Sequence, residues 1–489
     1  MASIIETEDK HSITYKAGRG IFWNFLTYGL SKGVLLLTTS ILARLLTRED
    51  FGLVAVAVIA INYLSVVKDL GLGRALIQRR QNIEEAASTV FTINAIIGFV
   101  LSLMVFLLAP VSAAYFEDPM VTPVLRWLGV SFAINALGSV HMNLLTRDLD
   151  YRRRLIPDFG NTLIKGVVSI GMAFSGFGVW SLVFGQIAGG LASVVLVWVV
   201  LPWRPRIFFD KTIAGQLMKF GASITGVDIL FVFADNLSYL VVGKVFGMAA
   251  LGVFSMAYRL PEMLIIGNLW VMTGVIFPAF SSIQDKPDEL RRGFLVSIRL
   301  VQLIVMPLCL GLFIAAEPIV MVVFGEQWLE TIPLLRILAI FALVYSVGYH
   351  VGDVYKAIGR PDILLKLNVF SIFVSVPALL IGSLYGLTGI VWGYLIGIIL
   401  DQIVTLYVAT KFVSVTFRDI FNEIRPAAQA ALLMVPVAFF VSLMTEDLSP
   451  FIQLTLVVIS GGICYLGVVW WLESKSLLRL AQVVLSGKK

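Results

Sequence analysis

The stretch ARLLTREDFGLVAVA (residues 43–57) returns 200 positions later as GKVFGMAALGVFSMA (243–257), with Arg44 on Lys244, Gly52 on Gly252 and Ala57 on Ala257. Each copy is a short turn that runs into a long apolar segment. Moving outward from this pair, VLRWL (124–128) is similar to LLRIL (334–338), and GFGVWSLVFG (176–185) to GLTGIVWGYLIG (386–397). The matches keep a common order, so the chain reads as two copies of one plan. Each copy holds six apolar segments. An even number per copy gives both the same orientation, which relates them by an axis along the membrane normal.

The solvent for this plan is a bilayer. Of the 489 residues, 58% are hydrophobic and 14% charged, against roughly 45–50% and about 25% in soluble domains. Breaks divide the chain into fourteen apolar segments: 20–43, 51–73, 87–109, 121–146, 155–175, 178–201, 213–243, 250–280, 293–324, 331–355, 361–384, 388–410, 426–444 and 450–472. Each meets or exceeds the roughly 20 residues that a spanning helix needs, and the longest predict tilts, kinks or extensions beyond the bilayer. Lys and Arg provide an independent check. Nearly all that lie in loops fall on the side of the N-terminus, while the opposite face holds Arg44, Arg48 and Lys244. A miscounted helix would destroy that asymmetry. The first residues, MASIIETEDKHSITYKAGR, lack the apolar core of a cleaved signal peptide, which places both termini in the cytoplasm.

The predicted fold is an all-α polytopic membrane protein of about 14 transmembrane helices, in two pseudo-symmetric six-helix lobes plus two C-terminal helices. Its divisions are a leader (1–19), an N-lobe (20–201), a linker (202–212), a C-lobe (213–410), a loop (411–425), the appended pair (426–472) and a tail (473–489). The linker, PWRPRIFFDKT with its neighbours, reads as a strap lying at the membrane interface. A net charge of +6 confined largely to one membrane face argues against a nucleic-acid partner. Cys309 and Cys464 lie inside apolar runs, so neither a disulfide framework nor a metal site is expected. No G-x-x-x-x-G-K-[ST], H-E-x-x-H or paired C-x-x-C occurs. The longest outer loop, PVSAAYFEDPM at 110–120, has no basic residue, so no enzyme is expected.

The informative residues are charges placed in hydrocarbon, where each costs about 2.5–3.5 kcal/mol on insertion scales. At 1.5 Å per residue, Lys32, Lys165, Arg259 and Arg299 fall nearest mid-depth. Lys68, Arg74, Arg126, Lys219 and Arg336 lie nearer helix ends, where snorkelling accounts for them. The central four are candidates for a cationic cavity that grips an anionic headgroup. The competing account is a structural ion pair, such as Arg259 with Asp228 or Asp235. Polar stripes at helical spacing surround them: Asn24, Thr27, Tyr28 and Ser31 beside Lys32; Asp158, Asn161 and Thr162 beside Lys165; Ser255 and Glu262 beside Arg259. Asn24, Tyr28, Ser31, Asn161 and Ser255 are expected to form a polar cavity wall. Asp228, Asp235, Glu262, Asp353 and Asp401 are candidates to bind a coupling H+ or Na+, and His350 lies three residues before Asp353. Trp180, Trp392, Trp470 and Trp471 read as interfacial anchors.

The longer stretch ILARLLTREDFGLVAVAVIAINYLSVVKDLGLGRALIQRR (41–80) resembles the opening signature of the polysaccharide-transporter family. Its Wzx-type members belong to the multidrug/oligosaccharidyl-lipid/polysaccharide exporter superfamily. The matching pieces are Phe51-Gly52, then Asp69-Leu70-Gly71-Leu72-Gly73, then Ala75-Leu76-Ile77-Gln78. The resemblance implies a flippase of the bacterial cytoplasmic (inner) membrane that carries undecaprenyl-pyrophosphate-linked oligosaccharide for exopolysaccharide synthesis. Membrane lipids and a polymerase or export complex are the other implied partners, and no cofactor is implied beyond a coupling ion. Two rivals stand beside this reading. A multidrug exporter of the same superfamily would have acids rather than bases commanding its cavity, and a glycan polymerase would need a sizeable outer loop.

Overall fold

The computed structural model describes Trp23 and residues 26–486 apart from 70, 80 and 207, with the side chains of 66–69, 74, 217–231, 233–235, 275 and 474–486 left out of the description. Among the described residues there is no strand. There are fourteen long helices, one for each apolar segment. They are α1 (Leu26–Leu45), α2 (Arg48–Asp69), α3 (Ile83–Phe116), α4 (Val121–Arg147), α5 (Tyr151–Phe174), α6 (Val179–Val200), α7 (211–246), α8 (248–282), α9 (Pro287–Ile314), α10 (Thr331–Val347, resumed as Val351–Ala357), α11 (Pro361–Ser383), α12 (Gly386–Phe412), α13 (Phe417–Met444) and α14 (Pro450–Ser486). Eleven helical stretches are long and apolar enough to cross a membrane. Helix α5 falls short because it carries Asp158 and Lys165 after Arg152-Arg153-Arg154. The chain is a multi-pass membrane protein.

Local chemistry sets the boundaries. Pro287 and Pro361 sit in the first turns of α9 and α11, where a missing N–H is harmless. Thr416 and Asp419 form a reciprocal capping box at the start of α13. Phe99 and Leu107 on α3, Leu432 and Phe440 on α13, and Phe373 on α11 point outward. Lipid can receive such side chains because helices satisfy their own backbone.

Four breaks interrupt the expected segments, two of them in the long segments 250–280 and 293–324, where length predicted kinks or extensions. Segment 51–73 ends at Asp69, and Gly71, with φ 65°, starts a separate short helix Leu72–Gln78. Segment 250–280 contains a π-turn at Glu262–Ile266 after Pro261. Segment 293–324 breaks at Ala315, and segment 331–355 breaks between Val347 and Val351. Interior kinks of this kind leave no trace in an averaged hydropathy profile.

The chain packs into two compact units, Met1–Gly252 and Val253–Lys489. The strap at 202–212 and the whole of α7 therefore join the first unit, about forty residues beyond the division expected at the linker. Packing explains this. Ile213 and Ala214 are buried with Leu72, Leu76, Ala86 and Val140, and Thr92 Oγ1 donates to the Phe208 carbonyl at 3.2 Å. Trp203 meets His141 edge-on at 5.0 Å, so the strap lies against α4. At its other end, α7 approaches α3. A Cβ on Gly243 would meet the Phe116 ring at 2.8 Å, and Lys244 Nζ lies 2.7 Å from Glu117 Oε1.

The repeat becomes a reciprocal contact at this end of the first unit. Gly52 lies so close to Met248 that a Cβ would collide with the Met248 carbonyl oxygen. Gly252 stands in the same relation to the Arg48 carbonyl. A displacement of 200 residues exchanges the two contacts. Only a residue without Cβ permits such an approach of helix backbones.

In the second unit, α13 and α14 lean on α9. Met306, Ala427, Ala430, Met434 and Tyr465 share one apolar cluster, and Tyr465 OH donates to the Leu303 carbonyl at 2.9 Å.

Candidate functional site

The cations expected at mid-depth occur on both units. In the first, α1 and α5 are neighbours, since a Cβ on Gly166 would collide with Thr38 Oγ1. Tyr28, Ser31 and Lys32 are half-buried on α1, and Lys32 Nζ lies 5.2 Å from the Tyr28 ring centroid. A cation over the electron-rich face of a phenol ring is stabilised without losing its charge. On α5, Asn161 and Lys165 are likewise half-buried. They face α6 at its glycines. A Cβ on Gly189 would lie 2.8 Å from the Asn161 carbonyl and 2.9 Å from Lys165 Cβ, and one on Gly185 would lie 3.0 Å from the Lys165 carbonyl. That close approach sets Lys165 Nζ on Gln186 Oε1. Asp158, one turn before Asn161, is occupied by Arg154 at 3.2 Å. The α1 and α5 stripes thus meet on adjacent helices, with Lys32 about 9 Å along α1 from the Thr38 contact. Asn24 lies outside the described residues.

In the second unit, Ser255 and Arg259 are half-buried on α8 and Glu262 is exposed at the start of the π-turn. Arg259 Nε is buried with no hydrogen-bond partner among the described residues. The expected alternative partners, Asp228 and Asp235, lie outside the described side chains. In the same unit the buried rings of Phe254, Tyr258 and Phe341 follow one another at 6.4 and 6.3 Å, and Phe341 stacks on Tyr394 at 4.2 Å.

Arg299 belongs elsewhere. Its guanidinium is bound to Glu473 and lies 3.6 Å from Glu423, so α9 is clamped to α13 and α14. Two carboxylates neutralise the charge that would have met a phosphate, and the candidate cationic set reduces to Lys32, Lys165 and Arg259. The sequence could not show this, because Glu423 and Glu473 are more than a hundred residues away along the chain.

Among the expected ion-coupling acids, Asp353 and Asp401 are buried. His350 and Asp353 share a face as their spacing suggested, with His350 Nδ1 3.0 Å from Asp353 Oδ2. Thr273 Oγ1 lies 3.0 Å from the same oxygen. Gln302 and Gln402, buried close to this pair in sequence-distant helices, were not singled out from the sequence. A glutamine within an apolar run is the signal that could have found them.

The sequence profile of the family described as "polysaccharide biosynthesis protein" matches residues 41–333. The chain is 28% identical over 407 residues to the lipopolysaccharide biosynthesis protein WzxC of Escherichia coli (strain K12), spanning 82% of each. It is 27% identical over 416 residues to the teichuronic acid biosynthesis protein TuaB of Bacillus subtilis (strain 168), spanning 83% of this chain and 85% of that one. Among solved structures, the lipid II flippase MurJ in an inward closed conformation superposes with a TM-score of 0.74 at 14% identity. The match covers 93% of this chain and 99% of MurJ. An inward-facing multidrug resistance MATE family transporter of the MOP superfamily gives 0.65 at 17%, covering 79% and 94%. At these identities the likeness to solved structures is one of fold.

Proposed function

We propose that this chain, which belongs to the polysaccharide biosynthesis protein family and its Wzx-type transporter group, carries polyprenyl-pyrophosphate-linked oligosaccharide repeat units across the bacterial cytoplasmic membrane by alternating access. Each unit offers cations suited to a diphosphate, Lys32 and Lys165 in the first and Arg259 in the second, and the polyprenyl tail stays in lipid. Tyr28, Ser31, Asn161 and Ser255 supply hydrogen bonds to the sugar, with Asn24 expected to join them. A coupling ion held by buried carboxylates drives the cycle. No covalent chemistry is assigned to the chain.

The observation that carries this reading is Arg259, a guanidinium inside a spanning helix with a buried Nε that has no partner among the described residues. Such a charge is retained in hydrocarbon when it faces a polar cavity or a ligand. A guanidinium also matches the oxygens of a phosphate as a planar fork. The Wzx-type relatives are named for lipopolysaccharide and teichuronic acid biosynthesis, and the fold is shared with a protein named for flipping lipid II. These names support the substrate class.

The test is complementation of a strain lacking its own polysaccharide flippase. Wild-type chain should restore surface polysaccharide, and Arg259→Ala and Lys32→Ala should not, at matched protein levels. Full export by both variants overturns the assignment of the cationic set. Drug resistance without restored export would replace the substrate class with that of a multidrug exporter.

A further inference from the structure

The break in α10 collects more unsatisfied polarity than any helix end requires. Between Val347 and Val351 the helix stops, turns through Gly348 and His350, and resumes. Gln302 of α9 reaches it from one side. Ser346 Oγ gives its hydrogen to the Leu343 carbonyl at 2.7 Å and therefore receives one from Gln302 Nε2 at 2.8 Å. That fixes the amide orientation and leaves Gln302 Oε1 as a buried acceptor with no partner among the described residues. Gln402 of α12 reaches the break from another side, with Oε1 so close to Gly348 that a Cβ there would collide with it. This oxygen is also a buried acceptor without a partner.

His350 completes the set. It is 3% exposed, its Nδ1 faces Asp353 Oδ2 at 3.0 Å, and its Nε2 is buried with no partner among the described residues. With Asp353 ionised, Nδ1 carries the imidazole hydrogen and Nε2 is a bare lone pair. Three orphan acceptors thus gather around one helix break: Gln302 Oε1, Gln402 Oε1 and His350 Nε2. The one orphan hydroxyl nearby is Tyr355 OH. Buried polar atoms normally find partners, and each exception asks for a cause. A set of acceptors short of donors asks for something that brings a hydrogen or a positive charge. Discontinuous spanning helices are where transporters place coupling ions.

We infer that the α10 break is a proton-binding site, in which His350 takes a proton at Nε2 and the Asp353 carboxylate balances the imidazolium. One N–H bond forms at the expense of a hydronium ion, and the Nδ1–H to Asp353 stays in place. The new N–H turns His350 from an orphan acceptor into a donor at a break that is short of donors. As a coupling site this rests on the transport reading above, whereas proton binding itself does not. A sodium ion fits less well, because a neutral imidazole nitrogen is a poor partner for a hard cation and oxygen suits it better.

Toward the cytoplasmic end the site is closed by apolar packing, with Phe294, Val351, Val354 and Tyr355 in one cluster. Toward the other end the ring of Tyr349 meets His350 at 5.2 Å and that of Tyr345 meets Tyr349 at 5.4 Å. The titratable and charged side chains on the elements packed around it are Tyr258, Arg259 and Glu262 on α8, Asp288, Glu289, Arg291, Arg292, Arg299 and Cys309 on α9, and Asp362 and Lys366 on α11. Tyr394, Asp401, Tyr407 and Lys411 lie on α12, and Arg336, Tyr345, Tyr349, Tyr355 and Lys356 on α10 itself. Arg299 is already held by Glu423 and Glu473, and Asp401 and Glu473 are the other buried acids among the described residues.

The chain has three histidines, His11, His141 and His350, so nitrogen NMR of the full-length, histidine-labelled protein in lipid nanodiscs can follow each one. The expected result is a His350 signal that converts from neutral to imidazolium as the pH is lowered, with Asp353→Asn altering the conversion. A His350 signal that stays neutral throughout overturns the inference, as does one that moves with added sodium ions at fixed pH and not with pH. His350→Gln in the complementation assay gives the companion measurement. Export is expected to lose its dependence on external pH while protein level holds, and unchanged pH dependence counts against the site. If the NMR titration appears and no polysaccharide is ever exported, the proton site stands and the substrate reading falls. If export is normal and the signal is flat, the reverse holds.

Discussion

Arg259 and Arg299 are both guanidinium groups of the second unit set within spanning helices, yet their surroundings differ. Arg299 is held by Glu473 and Glu423, carboxylates of the two helices that lie outside the repeated plan. Arg259 is on a helix of the repeat, half-buried, with Nε unpartnered among the described residues. The difference teaches that depth in the membrane does not by itself identify a functional charge. What separates the two is whether the fold has already neutralised it. A clamp spends its cation on its own acids, and a ligand site leaves its cation to be completed from outside.

The largest effect expected from breaking this contrast is at Arg259. Arg259→Ala should abolish export while leaving protein level and thermal unfolding near those of wild type, since no partner of Arg259 Nε among the described residues is orphaned. Arg259→Lys should retain partial export, because charge survives but the fork does not. Surface polysaccharide per molecule of protein, with melting measured in detergent, checks both. An Arg259→Ala protein that unfolds as readily as a clamp mutant would make Arg259 structural.

Arg299→Ala should do the opposite. It strands Glu473, whose side chain is 7% exposed, and removal of one member of a buried pair costs about 3–5 kcal/mol. The guanidinium here is 30% exposed, so a loss of roughly 2–3 kcal/mol is the better expectation. Accumulation and melting temperature should fall, with export per surviving molecule close to wild type. The double variant Arg299→Met with Glu473→Gln should recover most of the stability, because it leaves no uncompensated charge. A double variant as unstable as the single one would mean that the triad does more than hold α13 and α14 against α9.

This contrast also marks how far the sequence could be read. Helix number and the doubled plan were legible because hydropathy and the 43–57/243–257 match are each visible along the chain. The reciprocal approach of Gly52 to Met248 and Gly252 to Arg48 turns that match into geometry. Lys32, Lys165 and Arg259 could be listed as deep cations for the same reason. Arg299 could not be sorted from them, because its neutralising carboxylates come from α13 and α14. The α10 break and the convergence of Gln302, Gln402 and His350 were hidden too. They depend on which faces of three helices meet, a relation that no window along one chain contains. A strap rich in Pro and Trp reads as a linker along the chain, while its Trp203 ring docks on α4.

The smallest effect is expected where a cation meets its partner in water. Lys244 lies 2.7 Å from Glu117 Oε1, and the Glu117 side chain is 80% exposed. Lys244 also sits 5.3 Å from the Tyr115 ring centroid. The hydrogen bond from Lys244, helped by its positive charge, holds the Glu117 carboxyl below its ordinary value. A carboxylate depressed in the folded state favours folding above its unfolded pKa, and that contribution is lost as the pH falls through the folded value. Glu117→Gln should therefore leave stability at neutral pH almost unchanged, as exposed pairs usually do. It should also remove a small acid-side loss of stability that the wild type shows below about pH 4. Melting curves at pH 7 and pH 3.5, with and without added salt, decide the matter. A large loss at pH 7 would place Lys244 with the clamp rather than with surface charges. It would then make the Glu117 contact a working tie between the ends of α3 and α7.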